Sequence, residues 1–196
     1  MQIQNNGVKK VSLLRLGRRR RQSGELSMIE GAAVMAAAAL LALLAYAGGK
    51  FVMDRVHASQ FKSEAQLFHT GVLDATANDT DFSAETLKTL SQNHAFDSAG
   101  SRVATGGTGV TGMFGGAVTA ATGTVTNTND AMVVTYPVPA TVCALSVSAI
   151  ANAYTMVTVN GTTISGPSTA FSSSTGATAC TSAGATASIA MYTTRS

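Results

Sequence analysis

Residues 18–31 read Arg18-Arg-Arg-Arg21-Gln-Ser-Gly24-Glu25-Leu26-Ser-Met-Ile-Glu30-Gly31, and an alanine- and leucine-rich run follows as far as Gly49-Lys50. Between Leu26 and Gly49 the only charged side chain is Glu30. That interval is close to the roughly 20 residues a helix needs to cross a hydrocarbon core of about 30 Å. A carboxylate in such a segment costs several kcal/mol unless it is paired, so its presence calls for a function.

Working outward, the charge divides sharply. The formal net charge is +3. Yet Lys9, Lys10, Arg15, Arg18, Arg19, Arg20 and Arg21 all precede Glu25, and no acid does. From Leu26 onward 6 basic and 9 acidic residues remain, a net of −3. The basic stretch therefore follows the positive-inside bias of a membrane anchor, and nucleic acid is not an expected partner. A secretory signal has an apolar region of roughly 7–15 residues with its cleavage site on the far side. Here the apolar run is longer and the processing signal precedes it. An uncleaved anchor holding a periplasmic binding domain is an alternative that accounts for the topology but not for Glu30.

Past Lys50 the apolar pattern continues at helical spacing. Phe51, Val52, Val56, Phe61, Ala65, Leu67, Phe68, Val72 and Leu73 form one face, with Lys50, Asp54, Arg55, Lys62 and Glu64 on the other. The sequence predicts one helix over residues 26–78, apolar all round at first and amphipathic afterwards. Gly48-Gly49 allow a bend, or simply end the membrane span.

Residues 79–196 form a Thr-, Ser-, Gly- and Ala-rich domain. Asp81 is read as the cap of a short helix through Leu90 or Gln92. Gly100–Gly116 is read as loop, and Ala117–Ala121 and Val125 as short strands. Met132–Tyr136 is read as a strand stopped by Pro137 and Pro139. Thr141 is expected to cap a helix that buries Val142, Leu145, Ala149 and Ile150. Tyr154–Val159 and Thr162–Ile164 flank Asn160-Gly161, the signature of a type I′ hairpin, and Ser188–Tyr192 reads as a last strand. Cys143 and Cys180, the only cysteines, lie beyond the anchor, where an oxidising compartment favours a disulfide.

No catalytic, cofactor-binding or metal-ligating constellation emerges. His57, His69 and His94 are the only histidines, and none follows residue 94. Gly106-Gly-Thr-Gly109 lacks the lysine of a phosphate-binding loop. A structural protein, not an enzyme, is expected.

The basic leader, Gly24 and Leu26-Ser-Met-Ile-Glu30 resemble the processing site and mature start of a type IVb prepilin. Gly112-Met-Phe-Gly-Gly-Ala-Val118, the strand into Tyr136-Pro-Val-Pro139, Cys143 with Leu145, the Val157–Gly161 hairpin and Cys180, in that order, resemble the major pilins of thin, conjugation-associated type IVb pili. The resemblance implies an α+β type IV pilin fold, with a long N-terminal helix packed on an antiparallel β-sheet and one disulfide near the C-terminus. It implies a cytoplasmic leader, 1–25, removed by a membrane prepilin peptidase, N-methylation of the new amine, and an inner-membrane stage before assembly. It further implies a helical homo-oligomeric filament built outside the cell by pilus assembly machinery, for surface adhesion or mating-pair contact. A minor pilin or a secretion-system pseudopilin is the alternative within the class. In the family the glycine directly precedes the mature residue and the glutamate is the fifth mature residue. Cleavage at Glu25–Leu26 makes Glu30 the fifth but puts Glu25 last in the leader; Gly24–Glu25 is the alternative and makes Glu30 the sixth.

Mass spectrometry of the processed chain is expected to find a start at Leu26 or Glu25 carrying a methylated amine. A start after Ala47 would mark an ordinary secreted protein, and a start at Met1 in assembled material a plain signal anchor.

Overall fold

The computed structural model describes residues 28–182 and 184–195, with side chains from Ala32 onward. Gly24, Glu25 and Leu26 lie outside the described residues, as does the side chain of Glu30. Helix α1 spans Met28–Ala75, and its alanine, leucine and methionine content favours helix strongly. Gly48 and Gly49 are themselves helical. Two units meet inside α1, between Leu44 and Ala45. In the first, residues 28–44 are helical and every side chain from Ala32 to Leu44 is exposed.

The second unit contains the rest of α1 and a folded head. After α1 come α2 (Leu87–Gln92), two short 3-10 turns, β1 (Val110–Thr111), β2 (Ala117–Gly123) and β3 (Ala131–Pro139). Then follow α3 (Ala140–Ile150), β4 (Met156–Val159), β5 (Thr162–Ser165), α4 (Ser173–Thr181) and β6 (Thr186–Thr194). The strands form one sheet in the order β1-β2-β3-β6-β4-β5, each neighbouring pair antiparallel. The last strand is thus inserted at the centre, pairing with β3 from Ala131–Thr194 to Pro139–Thr186.

Alternation along the central strands sets the core. Met132, Val134, Tyr136 and Val138 of β3 and Ala187, Ile189 and Met191 of β6 are buried at every second position, as a half-covered sheet requires. Phe61, Ala65, Phe68 and Val72 of α1, each 0% exposed, belong to the same core as Val142, Val147 and Ile150 of α3. Phe61 meets the Tyr136 ring edge-on at 5.0 Å, and Phe68 meets Phe96 at 4.9 Å. Gly71 lets α1 approach the loop after α2: a Cβ there would lie 2.3 Å from the Ala95 carbonyl oxygen.

Cys143 of α3 and Cys180 of α4 form a buried disulfide with a Cα–Cα distance of 5.7 Å. Closing a loop of this length stabilises the fold by about 3–4 kcal/mol on the chain-entropy account. The Asn160-Gly161 turn has positive φ at both residues (51° and 83°), the type I′ geometry.

Several local expectations need correction. The short helix starts at Leu87 because Thr86 and Thr89 form a reciprocal capping box, whereas Asp81 caps a turn by accepting from Ser83 N at 2.9 Å. Val125 is not in a strand. Its N–H and those of Thr126 and Asn127 all donate to the Asp130 carboxylate at 2.7 Å, which removes them from any ladder. Gly100–Gly116 contains β1 as well as loop. β3 continues through Pro137 and Pro139, because pairing with β2 ends at Thr119–Thr135 and leaves that side an edge. Pro139 takes the N-cap position of α3 and Thr141 lies inside the helix, without a side-chain cap. The buried face of α3 is Val142, Cys143, Ser146, Val147 and Ile150; Leu145 and Ala149 are half-buried. Helix α4 has no counterpart in the sequence reading, since its Ser, Thr and Ala content carries little apolar periodicity.

Candidate assembly surface

The described part of α1 opens with side chains that no other described residue covers. Val34, Met35, Leu40, Leu41, Leu43 and Leu44 of the first unit are 62–76% exposed. Tyr46, Phe51, Val52, Met53 and Val56 of the second unit are 43–75% exposed. Among the described residues one helix is long and apolar enough to cross a membrane. Apolar patches on soluble monomers rarely exceed a few hundred Å², and larger ones mark interfaces with lipid or protein. Covering each large side chain is worth about 1.5–3 kcal/mol.

The amphipathic reading of α1 holds only in part. From Ala32 onward, Ala58 is the first residue of α1 to be buried, so Phe51, Val52 and Val56 lie before the stretch that faces the core. Leu67 is exposed on the far side of the helix.

Glu64, expected on the polar face, is buried instead. Arg102 grips its carboxylate with both terminal nitrogens, Nη2 to Oε2 at 2.7 Å and Nη1 to Oε1 at 3.0 Å. Such two-pronged geometry is the strong form of the pair. Arg102 Nη1 also donates to the Thr111 carbonyl at 2.8 Å. The Tyr136 hydroxyl donates to Glu64 Oε1 at 3.0 Å and accepts from Met113 N. One carboxylate on α1 is thereby tied to β3, to β1 and to the Gly112–Gly116 turn. Gly112 makes room for this: a Cβ there would lie 2.6 Å from the Tyr136 ring. The Glu64 contact holds Arg102 above the usual guanidinium range, and burial pushes the Tyr136 hydroxyl well up. Helical periodicity could not reveal this network, because Arg102 and Tyr136 are far from Glu64 in sequence.

The histidines separate. His69 is half-buried, with Nδ1 2.9 Å from Thr193 Oγ1 and its ring edge-on to Tyr154 at 4.9 Å. The Tyr154 hydroxyl in turn donates to the Ala65 carbonyl at 2.5 Å. His57 lies edge-on to Phe114, and His94 pairs with Asp97 at 2.9 Å on the surface. Among the described residues no group of three or more His, Cys, Asp or Glu is placed to hold a metal ion.

A long N-terminal helix, an antiparallel sheet with one face covered by helices, and a disulfide near the C-terminus together define the type IV pilin fold. The solved structure of a type IVb pilin from Salmonella typhi is similar to this chain, with a TM-score of 0.54 and 17% sequence identity. The likeness covers 70% of this chain and 99% of that one, and at this identity it is a likeness of fold. No protein-family model and no curated protein sequence matches the chain.

Replacing Glu64 by Ala leaves Arg102 half-buried without its carboxylate and Tyr136 without an acceptor. The expected loss is about 2–4 kcal/mol, discounted from that of a fully buried pair because Arg102 keeps solvent contact; a lowered urea midpoint in detergent checks it. A second expectation concerns pH. Burial holds the His69 imidazole below its ordinary pKa, so the unfolded chain takes up a proton first, near pH 6.5. Stability should be level above about pH 6.5 and fall as the pH drops below it. His69→Gln should lessen the difference between urea midpoints at about pH 7.5 and 5.5; an unchanged difference assigns the effect to other groups.

Proposed function

We propose that this chain is a structural subunit, the major pilin, of a type IVb pilus filament. The observation that carries the reading is the uncovered apolar stretch of α1 that precedes the folded head. Before assembly the membrane covers it; in the filament the same stretch of neighbouring copies does. A water-facing filament core of this composition is unfavourable, so bundling follows from the same hydrophobic term that favours membrane insertion.

The leader, residues 1–25, holds the chain in the inner membrane with its basic residues on the cytoplasmic side. A prepilin peptidase removes the leader at the Glu25–Leu26 bond, with Gly24–Glu25 as the alternative, and methylates the new amine. Residues 26–78 are the polymerisation element and residues 79–196 the head outside it. Glu30 then acquires a natural partner, the free amine of its own or an adjacent subunit, since a paired ion in hydrocarbon is far cheaper than a lone one. Assembly machinery lifts the subunit from the membrane into the extracellular filament. There the Ser- and Thr-rich heads face outward, available for surface attachment or mating-pair contact.

Filaments sheared from cells test the proposal. Abundant chain in them supports the major subunit, traces point to a minor pilin, and absence defeats both. Glu30→Ala should leave processing and membrane insertion intact while filament yield collapses. Normal yield from that variant removes the role given to Glu30.

A further inference from the structure

Charge on the head is unevenly placed. From Ala131 to Thr194 the sequence holds no Asp, Glu, Lys or Arg, so β3, α3, β4, β5, α4 and β6 are uncharged. Of the cations elsewhere on the head, Arg102 is held by Glu64, Arg195 lies 3.7 Å from Asp79, and Lys88 stands singly on the exposed face of α2. Arg55 and Lys62 differ: both are exposed on α1, and neither makes an ion pair among the described residues. Two helical turns apart, they share a face. They line a groove between α1 and α3 with Ala58, Ser59, Leu145 and Ala149. Small and aliphatic side chains on the other positions let a second backbone approach closely.

Lipid headgroups fit this groove poorly. Lys62 stands 13 residues beyond Gly49, about 20 Å along a helix, whereas a headgroup layer is only about 5–7 Å deep. The complementary charge lies on the chain itself. The connection after α1 presents Asp79, Asp81 and Glu85, which with Arg195 carry a net −2 against the +2 of the groove. Asp79 and Asp81 are exposed, and hydrogen bonds from Ser83 hold the Asp81 carboxyl below its usual range. Within one chain the two features cannot meet. About 25 Å of helix separates the middle of Arg55–Lys62 from the end of α1 at Ala75.

We infer that the α1–α3 groove receives the Asp79–Glu85 loop of a second copy of this chain. Groove and loop are different patches, so the contact is heterologous and, where its rotation does not close a ring, repeats into the open array a filament needs. This rests on the filament reading and specifies one lateral contact within it.

A charge swap tests it in cells carrying the full chain. Lys62→Glu and Asp81→Lys should each lower the yield of sheared filaments about tenfold. Subunit levels and the absence of free thiol should stay as in the unaltered protein, because both side chains are exposed. The double variant should recover yield to within about threefold of the unaltered chain, the signature of coupled positions. Unchanged yield in both single variants overturns the docking and leaves the filament reading standing. A double variant as poor as the single ones also overturns it, and points to a headgroup or a different subunit in the groove. Failure of the unaltered chain to form filaments overturns the filament reading and this contact with it.

Discussion

An apolar run of membrane length with no covering among the described residues imposes the main constraint on this molecule. From Ala32 to His57 no residue of α1 is buried, and exposed large hydrophobics run from Val34 to Val56, with Lys50, Asp54 and Arg55 as the charges among them. Water is a poor environment for such a surface. Burying the segment against lipid or against like helices would relieve that cost, and the proposed filament does the latter.

The same helix must also be held by the head, since any pull on the apolar end is transmitted through α1. Apolar packing of Phe61, Phe68 and Val72 supplies most of the adhesion, but packing alone tolerates sliding along a ridge. The Glu64–Arg102–Tyr136 cluster adds a directional lock. Its carboxylate meets a guanidinium fork and a phenol at fixed geometry, and a shift of one helical turn would leave the buried carboxylate without both partners. Such clusters specify arrangement more than they add net stability.

On the opposite side of the core the disulfide joins α3 to α4. Helix α4 is built from small and hydroxylated residues and buries only Gly176, Ala179 and Cys180. With so little apolar area, α4 depends on the covalent link and on Asn160, whose amide donates to the Ala179 carbonyl at 2.7 Å while its oxygen accepts from Ser188 N at 2.8 Å. The hairpin turn thus serves a second purpose, fastening α4 and β6 together.

The helix, the Asn160-Gly161 hairpin and the cysteine pair were legible from the residues alone, because each rests on a local or compositional rule: an apolar run, a dipeptide needing positive φ, two thiols in an exported domain. Where several local rules competed, tertiary context decided. Asp81 reads as the helix cap, but the Thr86–Thr89 box takes that role and Asp81 caps a turn instead. Leu145 looked like core by hydrophobicity, yet α3 buries Cys143 and Val147 and leaves Leu145 half-buried. The insertion of β6 between β3 and β4 and the burial of Glu64 had no signature in the sequence. Sheet order depends on which long-range pairings bury the most surface at once, and Glu64 became a core residue only because the fold delivers Arg102 and Tyr136 to it from 38 and 72 positions away. An apolar run of membrane length is written in the residues themselves, because composition and local propensity suffice for it. How the head grips the buried part of α1 is not, because that rests on contacts between residues far apart in the chain.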